Sequence, residues 1–335
     1  MLLTTESADW AQLTNTPANG LADEWRALFA EVQPPAGPFV TPEFQTAWWD
    51  IFQPGGSPDL TTVREDDRLV GVVPLRIHDG TVGLVGDFEV CDYMDILAAP
   101  DHEEAVVDVL LDRLEALGST SADLRGFASG SATLRLLPDK AVARGWQVEA
   151  QQEAVCPVVE LPTDWESYTS GLRRKYRHEV RRKLRNLRDG KAVVDIEVIR
   201  DADAVRERLP DFLTMMTTSR GDKAEFMTEQ MAAFFGVLVE RLAPHGRIQL
   251  YFLLLDGKPV ATVLCFVCCG QLMLYNSGYD PDYRSLSVGI ASKVFCLREA
   301  IDEGRQAVNF LRGDEEYKFQ MGAKAAPVTR LILTR

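Results

Sequence analysis

Two segments in the second half of the chain hold the residue types that group transfer needs. Residues 275–289 read YNSGYDPDYRSLSVG, between a strand-like and a helix-like run. In Arg284-Ser285-Leu286-Ser287-Val288-Gly289, small residues stand where a backbone must pass close to an anion, and Arg284 adds a pairing charge. Orphan N–H groups at a helix start, together with the helix dipole, favour phosphate there. The same letters also suit an ordinary turn capped by Ser287. The second segment, residues 309–322, reads NFLRGDEEYKFQMG. Chemistry at an amine requires a base for its proton and an acid for a leaving thiolate. Asp314, Glu315 or Glu316 suits the base, Asp314 and Glu316 being the catalytic candidates, and Tyr317 suits the acid. Lys318 would stabilise an oxyanion or bind the acceptor. N–H groups near Asn276 and Ser277, at the end of the preceding strand, are placed for the same oxyanion. A solvated acidic loop anchored by a tyrosine would carry the same residues.

Periodicity supplies the elements that hold these segments. RIQLYFLLL, PVATVLCFVCC and QLMLYNSGY read as successive strands, the first two joined at Asp256-Gly257-Lys258-Pro259. A helix over about 287–303 stops at Gly304, and AVNFLRG reads as the next strand. Before them come a long helix over about 164–189 ended by Gly190, a strand VDIEVI, and helices near 202–218 and 228–243. The first half has the same order. A helix TPEFQTAWWDIF, capped by Thr41, leads to strands LTTVRED, RLVGVVPLRI, TVGLVG and YMDILAA; a helix ending at Gly118 and strands ADLRGF and VCPVVELP follow. Asp66-Asp67-Arg68-Leu69-Val70-Gly71 echoes Asp256-Gly257-Lys258-Pro259-Val260-Ala261, Gly118 echoes Gly304, and Leu124-Arg125-Gly126 echoes Leu311-Arg312-Gly313, at offsets of 190, 186 and 187 residues. Three echoes in one order predict an internal duplication, with domains at 1–155 and 156–335.

The copies differ where the chemistry would be. In the first, the matching strand-to-helix join is Pro100-Asp101-His102-Glu103-Glu104, whose carboxylates would repel a pyrophosphate. The donor site is therefore expected in the second copy, with the first as scaffold or acceptor side. There, Asp92, Tyr93 and Asp95 in Asp92-Tyr93-Met94-Asp95 are candidates for acceptor recognition, or polar residues at a strand edge.

A net charge of −14 over 335 residues argues against DNA and general nucleic-acid binding. Residues 173–188 are the exception, with nine basic side chains against Glu179 alone. Leu172, Tyr176, Val180, Leu184 and Leu187 form an apolar stripe there, and Arg173, Arg177, Arg181, Arg185 and Arg188 a basic one. Arg177 and Arg181 are candidates for an anionic acceptor, a ligand's phosphates or tRNA; a solvated face is the plain alternative. Cys265 and Cys268 have C-x-x-C spacing, but on a strand they point to opposite faces, so a metal site is not expected. No run reaches the ~20 apolar residues of a membrane span. Unpaired thiols and an opening MLLTTESADW without the pattern of a secretion signal predict a cytoplasmic setting.

In position, and in Arg284 and Gly289, the 284–289 segment resembles the Arg/Gln-x-x-Gly-x-Gly/Ala loop with which GNAT acetyltransferases bind the pyrophosphate of acyl-CoA. Ser287 stands where that family has glycine. Roughly residues 38–335 are similar to the CelD/BcsL-type branch, in Phe310-Leu311-Arg312-Gly313-Asp314…Tyr317-Lys318, the arginine-rich helix, Phe44…Trp48-Trp49 and Asp92-Tyr93-Met94-Asp95. Tyr317-Lys318 with Gly322 also looks like the Phe-Lys-x-x-x-Gly of Fem peptidoglycan aminoacyltransferases, twin GNAT folds that use aminoacyl-tRNA and whose lysine acts at the reaction centre. The resemblance implies an α/β chain of two tandem GNAT-like domains, each a mixed, mostly antiparallel sheet flanked by helices. It implies an N-acyltransferase that moves acetyl or another acyl group from acyl-CoA, without a metal, to an amine such as a sugar or envelope-polymer precursor. Asn276, Ser277, Arg284, Ser285, Ser287, Val288 and Gly289 would hold the donor. Aminoacyl-tRNA-dependent transfer and a non-catalytic saccharide-binding protein are the competing classes. The long helical arm of tRNA-using Fem proteins has no counterpart before Gly190.

Overall fold

The computed structural model describes residues 3–14, 20–53, 55–189, 192–219 and 221–335. The chain forms two compact units, residues 1–155 with 326–335, and residues 156–325. The expected stop at Gly190 lies outside the described residues.

The first unit opens with β1 (Leu3–Ala8) and the helices α1 (Ala11–Thr14), α2 (Leu21–Val32) and α3 (Pro42–Phe52). Thr41 caps α3 by accepting from Phe44 N, with Pro42 at the first helical position. Then come β2 (Ser57–Glu65), β3 (Arg68–His78), β4 (Thr81–Leu84), the two-residue β5 (Leu97–Ala98), α4 (Glu103–Ala116), β6 (Ser121–Ala128), α5 (Ala132–Ala143) and β7 (Gln147–Glu160). The second unit continues with α6 (Trp165–Gly171), α7 (Arg174–Asp189), β8 (Val194–Ile199), α8 (Ala202–Ser219), α9 (Gly221–Phe226), α10 (Glu229–Leu242), β9 (Ile248–Leu255), β10 (Lys258–Cys268) and β11 (Gln271–Tyr279). A 3-10 turn (Pro281–Leu286), α11 (Val288–Asp302), β12 (Ala307–Asn309) and α12 (Glu316–Gln320) complete it, and the chain ends in β13 (Lys324–Thr334).

Both units are built alike. The first has strand order β1-β2-β3-β4-β6-β13, and the second β7-β12-β11-β10-β9-β8. Each runs antiparallel except for one parallel step, β4 to β6 across α4 and β11 to β12 across α11. An antiparallel strand flanks each of those steps. β13 lies on β6 in the first unit, and residues 158–160 of β7 lie on β12 in the second. The chain's final strand thus belongs to the first unit. The architecture is the expected mixed, mostly antiparallel sheet with helices.

The sequence echoes have one physical origin. Asp66 and Asp256 take left-handed φ of 49° and 50° in matching hairpins, Gly118 and Gly304 take 63° and 70° behind matching helices, and Gly126, late in β6, and Gly313, after β12, take 82° and 121°. These are the points where the backbone demands a conformation that glycine or aspartate tolerates.

Three expected elements differ. The helix over 164–189 is two helices, because Leu172 is extended between them (φ −67°, ψ 144°). Arg177 ties the break by donating to the carbonyls of Ser170 and Leu172 at 2.7 and 3.1 Å. Tyr168 before the break, Leu172 at it and Val180 after it are buried in one core cluster, so the apolar face continues through the break. The YMDILAA strand is limited to Leu97–Ala98. The AVNFLRG strand ends at Asn309, whose Oδ1 accepts from Leu311 N at 2.9 Å and starts a turn. Within the second unit, the core packs the sheet and α11 around Tyr251, Val263, Leu272, Leu297 and Val308. Gly278 is required there, since a Cβ would meet the backbone of Met215 and Met216 on α8 at 2.5–2.6 Å.

Candidate active site in the second unit

The site follows from a parting of strands. β11 pairs with β12 only over Gln271–Met273 with Ala307–Asn309. Beyond that, β12 turns away, and residues Leu274–Ser277 of β11 face a cavity of about 530 Å³. On its other side β11 stays on β10, but with a bulge. Leu264 faces Asn276 and Cys265 faces Leu274, leaving Tyr275 as the extra residue. Bulges beside open strand edges re-aim side chains toward a site.

One wall is the start of α11. Ser287 has φ 57° and ψ 35°, a left-handed conformation that glycine adopts without strain. The backbone therefore follows a path natural to glycine, with a serine on it. Val288 and Gly289 open the helix there, and both line the cavity. The helix's first N–H groups and dipole favour an anion at this point. Gly289 also makes room for an aromatic ring, since a Cβ would lie 3.1 Å from the Tyr279 ring. Arg284, on the 3-10 turn, is exposed and lines the same cavity, whereas Ser285 is exposed and does not.

The opposite wall is the turn after β12 and the short helix α12. Leu311 (φ 54°) and Gly313 (φ 121°) make the turn left-handed. Lys318, only 2% exposed, fastens it. Its Nζ donates to the carbonyls of Arg312, Gly313 and Leu311 at 2.8, 3.1 and 3.2 Å and pairs with Glu315 at 2.9 Å. Three N–H donors serve four acceptors, so this ammonium is committed to the turn. Of the three neighbouring acids, Glu315 lines the cavity; Asp314 and Glu316 are exposed and do not, and Glu316 accepts from Gln320 at 2.7 Å. Burial pushes the Glu315 carboxyl up, but the hydrogen bond and charge of Lys318 outweigh it and hold the group below its ordinary range. Tyr317 lines the cavity, its ring edge-on to Phe310 at 6.3 Å between centroids.

Two lysines that sequence reasoning passed over complete the site. Lys293 projects from the second turn of α11, and its Nζ donates to Ser277 Oγ at 3.1 Å and to Gly289 O at 2.9 Å. It also stands 5.7 Å from the centroid of the Tyr317 ring. Burial, and then the nearby charge of Lys223, lower its pKa to about 8. Lys223 on α9 donates to Ser277 O. A signal for Lys293 was present, because it is the only charged residue between Val288 and Leu297.

Residues 174–319 match the family model of the acetyltransferase (GNAT) domain. The chain carries a GNAT-type acyltransferase domain. No curated protein matches the chain. Among solved structures, FemX is similar at 12% identity with a TM-score of 0.63, over 92% of this chain and 95% of that one. A conserved protein of unknown function from Bacteroides thetaiotaomicron is similar at 11% identity with a TM-score of 0.62, over the whole of both chains. At such identities the likeness is one of fold.

Within the GNAT domain, the strand edge, the α11 start and the Tyr317 turn meet in one cavity. The structure brings together Asn276, Ser277, Arg284, Ser287, Val288, Gly289, Tyr317 and Lys318 there. Arg177 and Arg181 lie apart from it, in a groove along α7 that Gln320 also lines. In the other unit, Asp92, Tyr93 and Asp95 are all buried, Tyr93 edge-on to Phe39. Burial pushes the Asp95 carboxyl up to about 6, against hydrogen bonds from Ser131, Thr133 and Ile96 N that pull it down. The described residues contain no His, Cys, Asp and Glu group suited to a metal, and no helix long and apolar enough to cross a membrane.

Proposed function

We propose that the GNAT domain moves an acyl group from acyl-CoA to an amine by direct attack. The observation that carries this reading is the cavity itself, a parted strand edge with an anion-favouring helix start at one wall and Tyr317 at the other. In the proposed reaction, the pyrophosphate sits at Ser287–Gly289 with Arg284, and the thioester lies along Leu274–Ser277. The acceptor nitrogen attacks the thioester carbonyl carbon, and backbone N–H groups near Asn276 and Ser277 stabilise the oxyanion. The C–S bond then breaks. Glu315 is placed to take the amine proton, and the Tyr317 hydroxyl supplies a proton to the departing thiolate. Lys318 contributes by holding the turn that carries Tyr317. A sugar amine or envelope-polymer precursor is the proposed acceptor class, in a cytoplasmic setting, in line with the CelD/BcsL-type resemblance.

Titration calorimetry with acetyl-CoA tests the donor. Arg284→Glu should weaken binding about tenfold or more, because it replaces a charge-assisted pair with repulsion. No heat at millimolar acetyl-CoA would remove CoA as donor. One observation favours a second reading, transfer from aminoacyl-tRNA: Arg173, Arg174, Lys175, Arg181, Arg182 and Arg185 are exposed together along and beside α7. That reading requires a salt-dependent tRNA shift that weakens when Arg181 is reversed to glutamate.

A further inference from the structure

Resting on the acyl-transfer reading, we propose that Lys293 is an acylation site of the chain itself: with donor bound and no acceptor present, its amine takes the acyl group. Lys293 is partly buried and lines the cavity. Its Nζ lies 3.1 Å from Ser277 Oγ, on the stretch of β11 along which the thioester is placed. A primary amine is thus built into the wall where the reacting carbon of a donor would lie. Lys318 lines the same cavity, but its three N–H groups serve three carbonyls and a carboxylate.

The hydrogen bonds of Lys293 suit a free amine. Both of its partners, the Ser277 hydroxyl and the Gly289 carbonyl, are neutral oxygens. Among the described residues no carboxylate lies within ion-pair distance of it. A neutral amine keeps two N–H donors, enough for both acceptors, and its lone pair takes the third tetrahedral position. Loss of the proton therefore breaks neither bond and removes a charge that is costly away from water. Burial is the largest cause that lowers the Lys293 pKa, to about 8. The charges of Lys223 on α9 and Lys318 on α12 act the same way, and the thiols of Cys296 on α11 and Cys265 on β10 oppose them. Glu315 and Tyr317 face the same cavity. At pH 8 about half of the chains carry the free amine, against about one in 250 for an ordinary lysine near 10.4. A desolvated, partly deprotonated lysine is a nucleophile. In the proposed step, Nζ attacks the thioester carbonyl carbon, the C–N bond forms and the C–S bond breaks. The proton that the nitrogen loses ends on the thiolate by way of Tyr317, so the products are an acyl-lysine and free CoA. The amide does not revert to a thioester, so one such event closes the site.

The test uses the full wild-type chain with acetyl-CoA and no acceptor. Acetylation of Lys293 is followed by mass spectrometry against the exposed Lys324, from about pH 7 to 9.5, and calorimetry measures acetyl-CoA binding in the same buffers. Acetyl phosphate, which acetylates amines without a CoA moiety, is the control donor. With acetyl-CoA, Lys293 should gain an acetyl group at least about tenfold faster than Lys324, and with acetyl phosphate it should not. The Lys293 rate should rise about fivefold from pH 7 to 8 and level off above about pH 9, as the free amine becomes the main form. Arg284→Glu should slow this labelling in step with its loss of acetyl-CoA affinity. Acetyl-CoA that binds yet labels Lys293 no faster than Lys324 overturns the self-acylation and leaves the donor reading standing. Equal speed with acetyl phosphate also overturns it, by showing a reactive lysine that needs no bound donor. Neither binding nor labelling removes the CoA reading, and this proposal with it. The labelling itself needs no variant, so misfolding cannot mask the answer.

Discussion

Replacing Lys318 with methionine separates two roles that the same residue could play. The family likeness gives this lysine a place in the reaction, but the geometry gives it the turn. Its ammonium is the donor shared by the carbonyls of Leu311, Arg312 and Gly313, and it is almost wholly buried. A hydrogen bond to a charged group contributes about 1.5–3 kcal/mol, and truncating one partner of a buried ionic cluster costs about 3–5 kcal/mol. Glu315 is 56% exposed and regains water, so its share of the loss is small. The three carbonyls converge on one point and cannot all turn to solvent. Leu311 adds to the cost, since its left-handed φ of 54° carries about 1–2 kcal/mol of strain that the lysine bonds now hold. A loss of about 4 kcal/mol follows, and at about 2–4 °C per kcal/mol for a domain of this size the melting temperature falls by roughly 10 °C. Calorimetric melting of Lys318→Met checks this. A variant that melts within about 2 °C of the wild type yet has lost all transfer activity would refute the reasoning and make Lys318 a reacting group rather than a pin.

Two further outcomes are expected. Ser287→Gly should stabilise the protein by about 0.5–1 kcal/mol, because glycine takes the left-handed conformation at this position without strain; a lower denaturation midpoint would show that the serine side chain holds the turn. Asp95→Asn should raise the melting temperature at pH 8 but not at pH 4. A carboxyl raised to about 6 in the folded state, against about 3.9 unfolded, contributes fully below pH 4, and that contribution is lost as pH rises through 6. The loss at pH 8 is on the order of 2–3 kcal/mol, so an equal response at both pH values would contradict it.

Much of this was legible because it depends on local chemistry. Paired Asp66 and Asp256, and the glycines at 118 and 304, mark conformations that few residues adopt, so the duplication shows through otherwise divergent strands. The helix start at 287–289 was legible from its small residues, and Ser287 keeps the glycine-like path its neighbours imply. What could not be read depends on distant partners. Whether Asp314, Glu315 or Glu316 enters the cavity is decided by the direction of a turn that Lys318 fixes. Asp92, Tyr93 and Asp95 have the composition of a recognition site, but their burial depends on Phe39, Ser131 and Thr133, far away in the chain. Lys293 sits where periodicity expects core, and its reason for being charged is Ser277 on another element.

The placement of β13 has a consequence for synthesis. Domains commonly fold in order as they leave the ribosome, at about 5–20 residues per second. Here the strand that lies on β6 is encoded some two hundred residues after it. For roughly 10–40 s the nascent first unit therefore presents β6 as an uncovered edge, open to pairing with a neighbouring chain. Chaperone dependence, and aggregation of chains truncated before β13, would trace to that interval rather than to any weakness of the finished fold.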